Sequence, residues 1–135
     1  MSAFASTTEL HRVVGEFFRY VAASRAGRSV ADAKIVAAFV FSAPAGRVVL
    51  DGRSERPPGQ HFIVHTGNHG PPADVTFSMT ADAAEHVFTG GTPIVVALAN
   101  GTIRARGAIG RALPLVPAVS RWIPLYVRWR ERDGE

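Results

Sequence analysis

Apolar side chains recur every three or four residues near the start of the chain, which is the spacing of one face of an α-helix. This spacing predicts a helix over residues 6–25. Ser6 followed by Glu9 forms a capping-box pattern, and Gly27 lies just beyond the last predicted turn. Charged residues occupy the opposite face of the helix. The apolar face consists of Leu10, Val13, Val14, Phe17, Phe18 and Val21.

The pattern then changes to the apolar runs and the alternation that are typical of β-strands. In the fourth of these strands Phe77 and Met79 face one side, while Thr76 and Ser78 face the other. Turn residues separate the strands, and short strands at close spacing predict an antiparallel meander. The predicted strands are residues 34–42, 47–50, 61–66 and 75–79.

Helical signals return after the fourth strand. Thr80 is placed to cap a helix over residues 81–88. Thr92 as a cap and Pro93 at the first helical position predict another helix, which stops before Gly101. The two glycines between these helices are explained by the turn that joins them.

The last third of the chain adds one strand and a helical segment. Residues 102–107 alternate between apolar and basic side chains and are predicted as the fifth strand. From Ala108 onward the chain is apolar and predicted to be helical, with interruptions at Pro114, Pro117 and Pro124. The order of elements predicts an α+β domain.

Composition limits the class of protein. The chain has 135 residues, of which 47% are hydrophobic and 19% charged, so it is long and apolar enough to form a core and is not a disordered chain. It has no cysteine, which excludes disulfides and thiolate chemistry. No apolar stretch reaches the roughly 18 residues of a membrane span, and the start does not read as a secretory signal. We therefore expect one cytoplasmic domain over residues 1–135, and the preference for arginine over lysine indicates a bacterial, GC-rich genome.

One stretch carries a recognisable arrangement. Residues 74–115 open with the strand DVTFSMT, continue through two helices separated by Gly90 and Gly91, and reach the strand NGTIRARG. This arrangement, with the leading helix and the earlier strands in the same order, resembles the sterol carrier protein 2 (sterol-transfer) domain family. The resemblance spans nearly the whole chain. It implies a five-stranded, mainly antiparallel sheet with helices packed on one face, enclosing an apolar cavity.

The resemblance also implies where a ligand would lie. Carried over by position, the walls of the lipid cavity come from the first helix, the first, fourth and fifth strands and the C-terminal segment. The implied ligand-binding residues are Phe17, Phe39, Phe41, Phe77, Met79, Ile103, Leu113, Leu115, Trp122 and Tyr126.

Two features depart from the family pattern. Ala108 stands where relatives often carry an acidic or amide residue. The C-terminal segment contains three prolines and continues past a minimal domain, so residues 120–135 are interpreted as an amphipathic extension. Without the family, a close-packed core filled by aromatic side chains is the favoured explanation of the many phenylalanines, and only the resemblance favours a cavity.

The extension carries an aromatic stripe at helical spacing, with arginines on another side. Such a stripe suits a membrane interface, where it would form a mobile lid and docking element. It is also explained by packing within the chain or against a second copy, which would make a homodimer. The aromatic stripe consists of Trp122, Leu125, Tyr126 and Trp129.

The histidines and basic residues do not form a recognised site. His61 and His65 would share a strand face about 13 Å apart, which is too far for one metal ion. Arg104 and Arg106 form a basic strand face without a nucleic-acid recognition motif, and no Gly-x-Ser-x-Gly nucleophile motif occurs. No metal, cofactor or nucleic-acid partner is expected.

Three functions from different classes fit these features. The first is a protein that binds and carries a lipid or another hydrophobic small molecule, with Thr76, Ser78 or His65 as polar anchors. The alternative is a small enzyme that cyclises or isomerises an apolar metabolite in the same cavity, with His65, Asp74 or His86 as acid or base. The third is an interaction module that dimerises through the aromatic stripe. Because no two of the acid–base candidates are placed together by the sequence, a binding and transfer protein is favoured.

Overall fold

The computed structural model describes residues 4–133. The predicted domain and its extension include residues 1–3 and 134–135, which lie outside the described residues. The elements in chain order are α1 (Thr7–Ala22), a short 3-10 helix (Arg25–Gly27), α2 (Arg28–Ala33), β1 (Val36–Ser42), β2 (Gly46–Asp51), β3 (Ile63–Thr66), β4 (Val75–Thr80), α3 (Ala81–Phe88), α4 (Ile94–Ala99), β5 (Arg104–Gly107), α5 (Ile109–Ala112) and α6 (Leu115–Asp133).

The five strands form one sheet in the order β3-β2-β1-β4-β5. Three neighbouring pairs are antiparallel, and β1 pairs with β4 in parallel, with Phe39 opposite Phe77. The predicted meander is therefore found in β1 to β3, and the chain then crosses to the far side of β1. The α+β class and the mainly antiparallel five-stranded sheet are confirmed.

The helices cover one face of the sheet. Strand alternation directs Phe39, Leu50, Phe77 and Met79 toward the helices, where they join a core that includes the apolar face of α1. The other sheet face holds a small second cluster of Val36, Ala38, Val49 and Ala73. This arrangement confirms the prediction of helices on one face.

The main differences from the sequence prediction lie in two helices, and β1, β3 and β5 each begin two residues later than predicted. The helix α1 ends at Ala22, and α2 then forms a short separate helix that was not predicted, with Val30 as its one buried residue. The helix α6 continues through Pro117 and Pro124, so the predicted interruptions at these prolines are wrong. Pro117 lies in the first turn of α6, where a backbone N–H has no intrahelical partner to lose. Pro124 removes one helical hydrogen bond. The helix continues because the buried side chains of Trp122 and Tyr126 hold the turns on either side of Pro124.

None of the helices within residues 4–133 is both long enough and apolar enough to cross a bilayer.

Candidate functional site: an apolar groove beside the edge strand

An open groove of about 530 Å³ lies between the edge strand β5, the end of α4, the short helix α5 and the first turn of α6. Its volume is within the range of about 300–1,000 Å³ that ligand pockets occupy. Most of its lining is apolar. The charged residues at its edge are Arg104 and Arg106 of β5, which pair with Ser78 and Thr76 and so project from the sheet face away from the helices. The groove is lined by Phe77, Leu98, Gly101, Ile103, Arg104, Ala105, Arg106, Ile109, Ala112, Leu113 and Val116.

The groove continues inward to the space between the sheet and the helices. Four residues line both spaces, namely Phe77, Leu98, Ile103 and Val116. The inner space is wholly apolar but measures only about 20 Å³, little more than the room for one water molecule. Its remaining lining consists of Phe39, Leu50, Met79, Phe88, Ile94, Leu115, Val119 and Trp122.

Aromatic rings fill the space in which the resemblance placed a lipid cavity. Phe39 stacks on Phe77 with ring centroids 5.4 Å apart, and Phe18 packs between Phe39 at 5.2 Å and Trp122 at 6.0 Å. All four rings are buried. The enclosed cavity is therefore much smaller than a lipid, because these side chains pack against one another, and the open volume lies in the groove.

Seven of the ten predicted ligand-binding residues lie together around the groove and the inner space. The other three, Phe17, Phe41 and Tyr126, surround a separate small space between α1 and α3. Phe17 and Tyr126 contact each other there, with ring centroids 4.9 Å apart. The seven are Phe39, Phe77, Met79, Ile103, Leu113, Leu115 and Trp122.

Sequence reasoning did not identify α4 as a wall of the site, and in α5 and the start of α6 it named only Leu113 and Leu115. The signal that could have found α4 is its sequence IVVALA, which has no polar side chain although part of the helix faces water. Ile109 and Val116 follow neither a helical nor a strand pattern of apolar residues. They line the groove because α5 and α6 fold back beside β5. The residues that were missed are Leu98, Ile109, Ala112 and Val116 in the groove and Leu50, Phe88, Ile94 and Val119 in the inner space.

The aromatic stripe of α6 packs within the chain. Trp122 is fully buried and its Nε1–H donates a hydrogen bond to the Ala26 carbonyl at 2.8 Å. Tyr126 donates its hydroxyl to the carboxylate of Glu85, and Trp129 lies 5.8 Å from the Phe17 ring. The interpretation of this stripe as an exposed membrane contact is wrong for this conformation, because α1 and α3 cover it.

Burial, together with the hydrogen bond to Glu85 and its negative charge, raises the pKa of the Tyr126 hydroxyl far above its ordinary value. Tyr126 is therefore a protonated donor at every physiological pH. This hydrogen bond fixes α6 to α3, and Arg130 lies 3.6 Å from the same carboxylate. The arrangement is explained as a connection between helices.

Asp74 connects the elements that form the floor of the groove. Its carboxylate accepts the Val36 N–H at 2.9 Å, pairs with Arg53 and lies 3.4 Å from Arg111 of α5. Its carbonyl accepts the Ala108 N–H at 2.8 Å. The hydrogen bond from Arg53, then that from Val36, holds the pKa of Asp74 below its usual value despite partial burial. Asp74 thus links β1, β4 and α5.

This geometry predicts a pH-dependent contribution to stability. Because the folded-state pKa of Asp74 is lowered, its contribution is present above the unfolded-state value near 4 and is lost as pH falls through the folded value. We expect Asp74→Asn to lower the free energy of unfolding at pH 7 by about 2 kcal/mol, since it removes the charge that Val36, Arg53 and Arg111 contact. Urea denaturation at neutral and acid pH measures this difference, which should shrink below about pH 4.

The exposed carboxylate of Glu16 provides the matched control. Glu16→Gln removes a carboxylate that forms an exposed ion pair with Arg12. We expect the free energy of unfolding to change by less than about 0.5 kcal/mol. An Asp74→Asn effect that is the same at neutral and acid pH would contradict this account of Asp74.

The proposed polar anchors and acid–base residues do not line the site. Thr76, Ser78 and His65 alternate onto the sheet face away from the helices, so the interpretation of them as cavity anchors is wrong. His86 is exposed on α3. The carboxylate of Asp74 already accepts the Val36 N–H and pairs with Arg53, and Asp74 lines neither space. No group of three metal-ligating side chains comes together within residues 4–133.

The amino-acid sequence matches no protein-family model and no curated protein. Its fold, however, matches solved structures of sterol carrier proteins. The sterol carrier protein domain 2 of Helicoverpa armigera superposes with a TM-score of 0.66 at 16% identity, over 82% of this chain and 86% of that one. The apo form of sterol carrier protein 2 from Yarrowia lipolytica gives 0.59 at 15% identity, over 84% and 88%. A conserved hypothetical protein from Thermus thermophilus gives 0.64 at 18% identity, over 93% of each chain. The chain therefore has the sterol carrier protein 2 fold, and the resemblance seen in the sequence is confirmed.

Proposed function

From the sterol carrier protein 2 fold and the groove beside β5, we propose that this chain binds and carries a lipid or another hydrophobic small molecule. The observation that carries the proposal is the continuity between an open apolar groove of ligand size and a wholly apolar inner space. The structural relatives that are named sterol carrier proteins support the same class of ligand.

The chemistry of the lining matches such a ligand. Burying apolar surface contributes about 25 cal/mol per Å², so a ligand needs no catalytic group to be held. Leu98, Ile103 and Val116 form the inner wall of the groove, and its outer side is open to solvent. We infer that the apolar part of the ligand points inward and that its polar end stays at the open, solvent side of the groove.

A ligand larger than the groove requires the inner rings to separate. Phe77 and Val116 stand at the junction of the groove and the inner space, so an apolar chain entering from outside would meet them first. The seven predicted residues around these spaces are proposed to contact the ligand. Phe17, Phe41 and Tyr126 are proposed to support α1 and α6 instead.

Substitution of Val116 tests this proposal. Val116→Asp places a charge at the junction of the two spaces, in the first turn of α6, where an acidic residue is favourable for the helix. We expect binding of a fluorescent fatty-acid analogue to weaken at least about tenfold, because an apolar chain would have to desolvate the carboxylate. The measurement is a fluorescence titration of the purified chain after delipidation.

Val96→Asp is the matched control, since the same change is made on an exposed part of α4 that lines neither space. It should bind the probe as the unsubstituted chain does. Failure of the unsubstituted chain to bind fatty-acid, sterol and isoprenoid probes, or equal binding by Val116→Asp, would rule out the proposed function at this site.

A further inference from the structure

The strand β5 forms one edge of the sheet, and its outer backbone groups face the open groove. The Ala108 N–H donates to the Asp74 carbonyl at the β4 side of the strand, whereas the Ile103 N–H points the other way and donates to the Ala97 carbonyl. Backbone groups alternate in direction along a strand, so the N–H and C=O of Ala105 also point away from β4. Outside the sheet ladder, no backbone group within residues 4–133 forms a hydrogen bond with Ala105.

The opposite edge of the sheet is less open. All four residues of β3 are partly buried, and α1 packs beside this strand. In β5 Arg104, Arg106 and Gly107 are exposed. An exposed edge strand with unpaired N–H and C=O groups is a template on which another strand can form. We therefore consider β5 as the edge that another strand can reach.

A strand added at β5 would meet different chemistry on its two faces. On the side of the helices it would lie beside Ile109 and Leu113, which line the groove and leave 46% and 61% of their surface in water. On the other side it would lie beside Arg104 and Arg106, which project from the sheet face away from the helices. Successive side chains of a strand point to opposite faces. An added strand that fits both sides must therefore alternate in character.

The charge on the far face selects the polar half of that alternation. Arg104 and Arg106 form no ion pair with the residues that the structure describes. Their neighbours across β4 are the neutral side chains of Ser78 and Thr76, and from residue 86 to residue 130 the chain has no acidic residue. Opposite charges on neighbouring strands stabilise their pairing, and like charges destabilise it. Carboxylates on the added strand would supply the charge that this face lacks.

We propose that β5 pairs with an extended segment of a partner protein in which apolar and acidic side chains alternate. The segment adds a sixth strand to the sheet, and its backbone forms hydrogen bonds with Ala105. Its apolar side chains lie against Ile109 and Leu113, and its carboxylates lie beside Arg104 and Arg106. This interaction goes beyond the proposed function and does not depend on it.

A second copy of the chain does not fit this edge. Twofold antiparallel pairing of two β5 strands about Ala105 would place Arg104 of each copy opposite Arg106 of the other. The strand β3 of another copy would bring the sequence IVHT, which contains no carboxylate. The arginines thus disfavour pairing between copies and favour an acidic partner.

The test is a fluorescence anisotropy titration of the ligand-free chain with a labelled peptide in which four valines alternate with three glutamates. A peptide with lysine in place of glutamate is the comparison. Two further peptides carry N-methyl groups, one on the valine amides and the other on the glutamate amides. The protein variant combines Arg104→Glu with Arg106→Glu. Its matched control combines Arg25→Glu with Arg28→Glu, which reverses two exposed charges outside β5.

We expect the unsubstituted chain and the control variant to bind the glutamate peptide at least about tenfold more tightly than the lysine peptide. The Arg104 and Arg106 variant should reverse this preference, a result that loss of folding cannot produce. N-methylation should abolish binding in only one of the two patterns, because only alternate amides of an added strand face β5.

Several results would overturn strand addition at β5. Equal effects of the two methylation patterns would exclude backbone pairing, and equal binding of the glutamate and lysine peptides would exclude selection by the arginines. If neither peptide bound, the arginines would serve only to protect a short edge strand from pairing. Concentration-dependent dimerisation that the Arg104 and Arg106 variant alters would assign the edge to a second copy.

The fatty-acid probe titration separates this proposal from the proposed function. A chain that binds the fatty-acid probe but not the glutamate peptide contradicts only strand addition. A chain that binds the peptide with the expected preference but no lipid probe contradicts only the proposed function.

Discussion

Trp122→Ala should lower the free energy of unfolding by about 4 kcal/mol, the cost of removing a large buried aromatic side chain. The Trp122 ring has no exposed surface and packs at 6.0 Å from Phe18 and 6.4 Å from Phe62. Its Nε1–H also satisfies the carbonyl of Ala26, which the substitution would leave without this donor. Urea denaturation followed by circular dichroism measures the change.

The neighbouring Trp129 gives the matched control. Trp129 is partly exposed and contacts the Phe17 and Tyr126 rings on one side. Trp129→Ala should therefore lower the free energy of unfolding by less than half as much as Trp122→Ala. If Trp122→Ala lowered the free energy of unfolding by less than about 1 kcal/mol, the packing of α6 against the core through this ring would be contradicted.

The Trp122 substitution also bears on the ligand site. Trp122 lines the inner space, so its removal would enlarge that space at the expense of stability. An apolar ligand that fills the enlarged space should recover part of the lost stability, because it binds the folded chain only. The denaturation midpoint of Trp122→Ala should therefore rise when the fatty-acid probe is added.

Gly107→Ala is expected to destabilise the chain by about 3 kcal/mol, for two independent reasons. Gly107 ends β5 with φ of +96°, a conformation that residues with a side chain rarely adopt. A Cβ atom at this position would also lie only 2.4 Å from the Asp74 carbonyl oxygen, and backbone atoms would have to move. The same carbonyl accepts the Ala108 N–H, so the shift would disturb the connection between β4 and α5.

Gly110→Ala is the control for the glycine substitution, three residues further along. Nothing lies within 4 Å of a Cβ atom at Gly110, which is in the short helix α5. Alanine favours helix over glycine, so this variant should be unchanged or more stable by up to about 1 kcal/mol. The midpoint of thermal or urea unfolding distinguishes the two variants, and equal stability would contradict the account of β5.

Much of the fold could be predicted from the sequence because the patterns are local. The apolar face of α1 with its Ser6 cap is as predicted, and the Ser6 side chain accepts the Glu9 N–H at 3.1 Å. The alternation of Phe77 and Met79 against Thr76 and Ser78 correctly assigned the two faces of β4. The motif around Gly107 led to the sterol carrier protein 2 fold.

The helix boundaries were predicted less well, and the reason is tertiary. Pro124 is a local signal against helix, yet α6 passes through it because Trp122 and Tyr126 are held on either side by buried contacts. The helix α2 has a weak period, and a single buried residue, Val30, fixes it to the core. Contacts with other elements therefore overrode the local preference at both places.

By itself the sequence determined the class of fold, the faces of the strands and the absence of any thiol chemistry, since composition, period and turn residues are properties of neighbouring positions. Only the tertiary structure decided where the chain has room for a ligand. The rings of Phe39, Phe77 and Trp122 fill the expected cavity, and the open volume lies beside β5 instead. It also decided that Trp122 and Tyr126 of the α6 stripe are buried and that Val95 and Leu113 are exposed. Both outcomes depend on how side chains from distant elements pack together, which residue types and their spacing do not specify.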